Sequence, residues 1–142
     1  MNNAIFSIPR PYNEPILSYA PGTAERSALK AELDNQSERI VTIPLIIGGK
    51  EVYTDTYGEV VMPHNHKHVL ARYCIATPKE LRMAVESALS AKKDWSEMPW
   101  EHRAAIFLKA ADLLAGPYRA KINAATMLGP VSYTHLRAHE TT

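Results

Sequence analysis

Cysteine occurs once in this chain, at Cys74, phenylalanine and tryptophan twice each, and glycine only six times. A single thiol excludes an internal disulfide framework and fits a reducing compartment, for which the cytoplasm is the simplest reading. The six glycines are Gly22, Gly48, Gly49, Gly58, Gly116 and Gly129, and no three of them have the spacing of a phosphate-cradling loop. Charge of one sign is missing too. Sixteen basic and 15 acidic residues leave a net charge of +1, which gives no bulk field for nucleic acid or an anionic membrane. No apolar run approaches the ~20 residues that cross a bilayer. The longest, Ile40 to Ile47, is interrupted by Thr42 and Pro44. Met1 to Arg10 lacks an apolar core of signal-peptide length, and Glu14 comes too early for a basic, acid-free presequence. With 142 residues the chain has room for at most one domain, which could bury roughly two-thirds of its unfolded surface.

Proline, by contrast, is concentrated where it matters. Pro9, Pro11, Pro15 and Pro21 punctuate the first 22 residues, and each removes a ladder donor and extends the residue before it. This is an arm, expected to lie on another surface through Ile16, Leu17 and Tyr19. Thr23 then offers a helix cap, with Glu25 in the first turn, and residues 24–37 read as a short amphipathic helix. From Ile40 the period changes: Ile43, Leu45 and Ile47 alternate, Gly48-Gly49 supplies a two-residue turn, and Val52 resumes the alternation. That pattern predicts a β-hairpin over 40–54. A turn at Tyr57-Gly58, a short strand over 59–62, a loop over 63–67 and a strand over 69–75 follow.

The stretch from Thr77 to Leu128 reads as a helical layer that could cover those strands. Thr77 caps, Pro78 takes the first helical position and Glu80 closes a capping box. Leu81, Val85, Ala88, Leu89 and Trp95 then share one stripe. Pro99 starts a second helix whose polar strip is only His102, Lys109 and Asp112. Its remaining face, Ile106, Phe107, Ala110, Ala111, Leu113 and Leu114, is apolar over too wide an arc for one contact. Gly116-Pro117 opens a third helix with Tyr118, Ile122 and Ala125 on one face. It is cut short at Gly129-Pro130.

Candidate chemistry is sparse. His64, His66 and His68 alternate in PHNHKH, and imidazole is a common metal ligand. No carboxylate or cysteine pair accompanies them, so the favoured reading is a loop whose histidines bond locally, and no metal. Cys74, between Tyr73 and Ile75 with no base beside it, reads as a small core residue rather than a nucleophile. Trp95 and Trp100 read as packing anchors, and Lys92, Lys93 and Arg103 as solvated faces. No base, nucleophile and oxyanion site assemble, so no catalytic, cofactor-binding or metal residue is assigned.

The order of hairpin, PHNHKHVLARYCIATPKELRMAVESALSAKKDW and PWEHRAAIFLKAADLLAG resembles the amino-terminal region of the aldehyde dehydrogenase superfamily, an α/β fold. Asn13 to Leu17 followed by Gly22 to Arg26, the His-bearing loop 63–68, and Phe107 to Leu114 narrow the resemblance to the subgroup of 1-pyrroline-5-carboxylate (L-glutamate γ-semialdehyde) dehydrogenases. It covers about residues 12 to 129. The resemblance implies NAD-dependent oxidation of L-glutamate γ-semialdehyde to L-glutamate in proline degradation, with a small aldehyde as partner and a homo-oligomeric parent. It also implies a cysteine thiolate that forms a thiohemiacetal, and a glutamate that assists thioester hydrolysis. In the family those residues lie downstream of the stretch matched here, and Cys74 does not fit the nucleophile motif.

The chain is therefore expected to be an arm (1–22), an incomplete amino-terminal part of the dehydrogenase (23–129) and a tail (130–142). The tail resembles a translated adapter remnant, in which His135 and His139 carry no weight as a metal pair. Such a fragment is expected to be inactive and poorly stable alone. The alternative is a stand-alone helical interaction module that uses the apolar arc of residues 106–114.

Overall fold

The computed structural model describes residue 10 and residues 12–129. The amino-terminal end of the arm and the expected non-native tail, with His135 and His139, lie outside the described residues. In chain order the elements are α1 (Ala24–Glu38), β1 (Val41–Ile43), β2 (Leu45–Ile47), β3 (Lys50–Val52), β4 (Tyr57–Met62), β5 (Asn65–Cys74), α2 (Pro78–Glu97), α3 (Trp100–Ala115) and α4 (Arg119–Leu128).

The expected hairpin exists, but only as β2 and β3, paired Leu45 to Val52 across the glycine turn. Gly48 and Gly49 both have positive φ, 58° and 75°, as a turn matched to the right-handed strand twist requires. Residues 41–43 belong elsewhere. Pro44 cannot donate to a ladder, and the chain changes sheets there. β1 runs parallel to β5, with Val41 opposite Ala71, while β4 lies antiparallel on the other side of β5, in the order β1-β5-β4.

Two further expectations are corrected. Tyr57 and Gly58 do not turn; they open β4, with Gly58 opposite Tyr73. A side chain at Gly58 would run into the Tyr73 ring, so glycine serves here as a seat for a cross-strand aromatic. The loop expected over 63–67 is only a Pro63-His64 turn, and Asn65 already faces Met62. Pairing with Met62 of β4 brings Asn65 into the strand despite its low strand preference, and His66 and Lys67 lie in the irregular stretch between that pair and Val61–Val69. The register shifts on either side of Val61 absorb the tight return.

The helices do not form the single layer expected over the strands. α4 packs on α1, whereas α2 meets β2 and α3 meets α4 over smaller contacts. The buried centre of the α1–α4 contact is Ala124, with no accessible surface, while Tyr118 and Ile122 of the expected face stay substantially exposed. A small side chain lets the two backbones approach, so the contact was hidden from a search for large apolar residues. Gln36 Nε2 on α1 donates to the Lys121 carbonyl at 2.9 Å and ties the pair together.

The arm joins the same assembly. Asn123 Nδ2 donates to the Tyr19 hydroxyl at 3.0 Å, and the Arg26 guanidinium donates to the Tyr19 carbonyl at 3.0 Å. Glu14 lies 3.9 Å from Arg119. These contacts hold Tyr19 at φ 52°, in the left-handed region that bulky residues avoid. Ile16, expected as an anchor, is 100% exposed. Leu17 and Tyr19 are half-buried as expected.

Candidate functional site

The best-ordered polar arrangement is the start of α2. Thr77 is extended and accepts from the Lys79 amide at 3.3 Å, while the Thr77 amide donates to Glu80 Oε2 at 3.0 Å. The Thr77 hydroxyl also donates to that carboxylate oxygen. Glu80 is buried by its own capping box. The Thr77 hydroxyl, then the Thr77 amide, hold its carboxyl below the ordinary 4.5, because both bond the ionised form. This is the capping box read from the sequence, and its work is structural. Thr23 differs: it sits at the α1 cap position with no side-chain cap bond, because its hydroxyl donates to the Ala20 carbonyl at 2.9 Å.

The histidines separate. His64 is in the turn, and His66 and His68 lie on β5. Nε2 of His68 meets the Ser37 carbonyl at 2.7 Å, which ties β5 to the end of α1. That bond spans 31 residues, so it is long-range rather than local as expected. Among the described residues no group of three or more His, Cys, Asp or Glu is arranged to hold a metal.

Cys74 is 4% exposed at the end of β5, opposite Tyr57. It is packed away from solvent, where a thiol serves as a small apolar group. Beyond it, Tyr53 donates to Glu51 Oε2 at 2.9 Å, and losing that proton would break the bond, so its phenol is raised above its ordinary value. Trp95 and Trp100 flank the α2–α3 junction, both partly exposed. Lys92 and Lys93 lie exposed on α2, whereas Arg103 on α3 is half-buried rather than solvated.

A shallow depression on α2, lined by Leu81, Arg82, Val85 and Glu86, is open and almost wholly apolar. Arg82 and Glu86 are the charged residues at its edge.

What the arrangement does have is a recognisable order: a three-stranded sheet with one parallel edge, a glycine hairpin, and helices that begin after Thr77 and Pro99. The sequence model of the aldehyde dehydrogenase family matches residues 52–128, more than half of the chain. This chain belongs to the aldehyde dehydrogenase family, and its fold is a portion of that α/β fold.

Within the family its likeness is narrower. It is 50% identical over 127 residues to the delta-1-pyrroline-5-carboxylate dehydrogenase of Agaricus bisporus, matching 89% of this chain and 23% of that protein. It is 45% identical over 117 residues to the mitochondrial delta-1-pyrroline-5-carboxylate dehydrogenase of Homo sapiens, matching 82% of this chain and 21% of the other. The fold superposes on the delta-pyrroline-5-carboxylate dehydrogenase of Mycobacterium tuberculosis bound with NAD, with a TM-score of 0.85 and 46% identity. That superposition covers 89% of this chain and 24% of that one. The chain thus spans about a quarter of the length of the curated relatives it matches.

Proposed function

We propose that this chain is a portion of an NAD-dependent dehydrogenase that oxidises L-glutamate γ-semialdehyde, the open form of 1-pyrroline-5-carboxylate, to L-glutamate in proline degradation. The observation that carries the reading is the likeness to the Mycobacterium tuberculosis enzyme over 89% of the chain. In this reading NAD accepts the hydride in the whole enzyme. The chemistry of thiohemiacetal formation and thioester hydrolysis belongs to residues outside these 142. Cys74 takes no part, because a buried strand thiol has neither an activating base nor access to substrate.

What these residues contribute is a framework: the sheet carrying β5, the capped start of α2 and the clamp of α1 on α4. We assign residues 1–22 to an arm, 23–129 to the dehydrogenase proper and 130–142 to a non-native tail. We also expect the whole enzyme to be a homo-oligomer. A reducing, cytoplasmic setting remains our reading from the single cysteine. The human relative is named mitochondrial, and imaging a tagged whole protein decides between the two. The stand-alone interaction module is not favoured, since family membership already accounts for the apolar arc.

Two measurements test the reading. The 142-residue chain is expected to form no NADH from 1-pyrroline-5-carboxylate and NAD, and turnover above blank would contradict the inactivity. In the second, the matched segment of the Agaricus bisporus enzyme is replaced by residues 12–129. This chimera is expected to retain 1-pyrroline-5-carboxylate-dependent NADH formation within about tenfold. A folded chimera active on simple aldehydes but not on this substrate would sink the substrate assignment.

A further inference from the structure

The arm is held to the helices by very little, and what holds it converges on one residue. Between residues 12 and 22 only Leu17 and Tyr19 are half-buried, while Tyr12 and Ile16 are almost wholly exposed. Tyr19 touches both helices of the α1–α4 pair. Its carbonyl accepts from Arg26 of α1 and its hydroxyl accepts from Asn123 of α4, each at 3.0 Å. The Glu14–Arg119 pair adds little, since it is 3.9 Å long and Glu14 is half exposed.

The same residue carries the cost of docking. Tyr19 is the one non-glycine residue with a positive φ among the described residues, at 52°, and a bulky side chain is strained there. The two bonds keep it so, and once they break its backbone returns to ordinary extended geometry. Neither Arg26 nor Asn123 is buried, so water replaces both bonds on release. The next residues are fixed by their neighbours alone. The Ala20 carbonyl accepts from the Thr23 amide at 3.2 Å and from the Thr23 hydroxyl at 2.9 Å. Between them Gly22 has φ 84°, the positive value its position takes in a type II turn. That turn persists whether the arm is docked or not.

Few apolar contacts, polar ties that water can replace and strain relieved by opening mark a segment that opens well before the whole chain unfolds. We propose that residues 12–19 form a strap that docks on the α1–α4 pair and releases from it as a unit, with Tyr19 as its latch and the Pro21-Gly22 turn as its pivot.

Chymotrypsin reads the open state in the 142-residue chain, because cleavage in a protected segment follows the population that opens. Cutting after Leu17 or Tyr19 is expected to be at least about tenfold slower than after the exposed Tyr12, which serves as the internal reference. Tyr19→Phe keeps a cleavage site and removes the accepting oxygen. It is expected to raise cutting over 17–19 about fivefold, the worth of one ordinary hydrogen bond. Asn123→Ala should match it, and the double variant should do no more than either single one, since all three lose the same bond. In urea below the unfolding transition, wild-type cutting over 17–19 relative to Tyr12 should stay nearly constant, because release of a strap exposes little surface. Wild-type cutting at Leu17 as fast as at Tyr12 would overturn the proposal, as would cutting left unchanged by either substitution. A double variant cut much faster than the single ones would remove Tyr19 and Asn123 as the latch. A steep rise with urea would make the arm part of the cooperative core, which also overturns the proposal.

Discussion

The helices α1 and α3 have almost equal lengths, 15 and 16 residues, but opposite compositions. α1 is mostly polar, AERSALKAELDNQSE, and α3 is mostly apolar, WEHRAAIFLKAADLLA. Yet α1 is the packed one. It half-buries Leu29, Leu33 and Gln36 against α4, and polar bonds complete the contact through Gln36 to Lys121, while the arm joins through Tyr19 and Asn123. α3 leaves Ile106, Phe107 and Leu114 half or more exposed, each forgoing part of the about 1.5–3 kcal/mol that full burial supplies. Composition records how much contact a helix makes in the whole molecule, whereas local packing records how much its own neighbours supply. The gap between the two is small for α1 and large for α3.

The comparison breaks most sharply at Ala124. This α4 residue is fully buried, so Ala124→Leu is expected to destabilise the chain by about 1–3 kcal/mol through overpacking. The measurement is a urea melt, with the midpoint lowered and the slope unchanged. An unaltered midpoint would mean that α4 is as loosely held as α3. At the hairpin, Gly49→Val places a β-branched residue at φ 75° and is expected to cost roughly 1–2 kcal/mol. Proteolysis within 48–53 should rise accordingly, and an unchanged cleavage rate would show that the β2–β3 turn can relax.

Much of this was readable in advance, and the misses have common causes. Caps, glycine turns and helix limits depend on neighbours in sequence, so Thr77, Pro78 and Glu80 announced α2, and Gly48-Gly49 announced the hairpin. Partners distant in sequence were less visible. The parallel pairing of β1 with β5 depends on a chain break at Pro44 that resembled a mere interruption of one strand. Asn65 joined β5 because Met62 of β4 offered it a partner. Ala124 carries no apolar signal, although it is the most buried residue of α4. For the candidate site, Cys74 was legible as a small buried strand residue, but nothing in the sequence linked His68 to the Ser37 carbonyl. The family order of elements was legible because it is a sum of local signals. A catalytic centre was not, because the sequence offers no local signal that joins a nucleophile to a base.

A smaller effect is expected at the capping box, which marks the one well-satisfied end of the otherwise uncovered α2. Thr77→Ala removes a cap and is expected to cost about 1 kcal/mol, with the first turn of α2 exchanging its amide hydrogens faster. Acid acts on the same bonds. Because the folded carboxyl of Glu80 titrates below 4.5, the unfolded chain binds its proton first as pH falls. The stabilisation is therefore complete above about 4.5 and is lost as pH drops through the lower folded value. Thr77→Ala should return the Glu80 titration, followed by carboxyl carbon NMR, towards 4.5. A titration that stays low would place the cause elsewhere on the helix.

The smallest effect is expected where the apolar signal is strongest. Leu89 is 63% exposed on α2, so in the 142-residue chain Leu89→Gln should change stability by less than about 0.5 kcal/mol, as at an ordinary surface position. A polar residue there should also reduce association, since the exposed stripe is what one molecule offers another. Light scattering beside the urea melt separates the two quantities. If Leu89→Gln lowers the midpoint by as much as Ala124→Leu, α2 is packed within this chain and the contrast between α1 and the α2–α3 pair disappears. If the midpoint stays and scattering falls, Leu89 is a contact residue without a contact inside this segment.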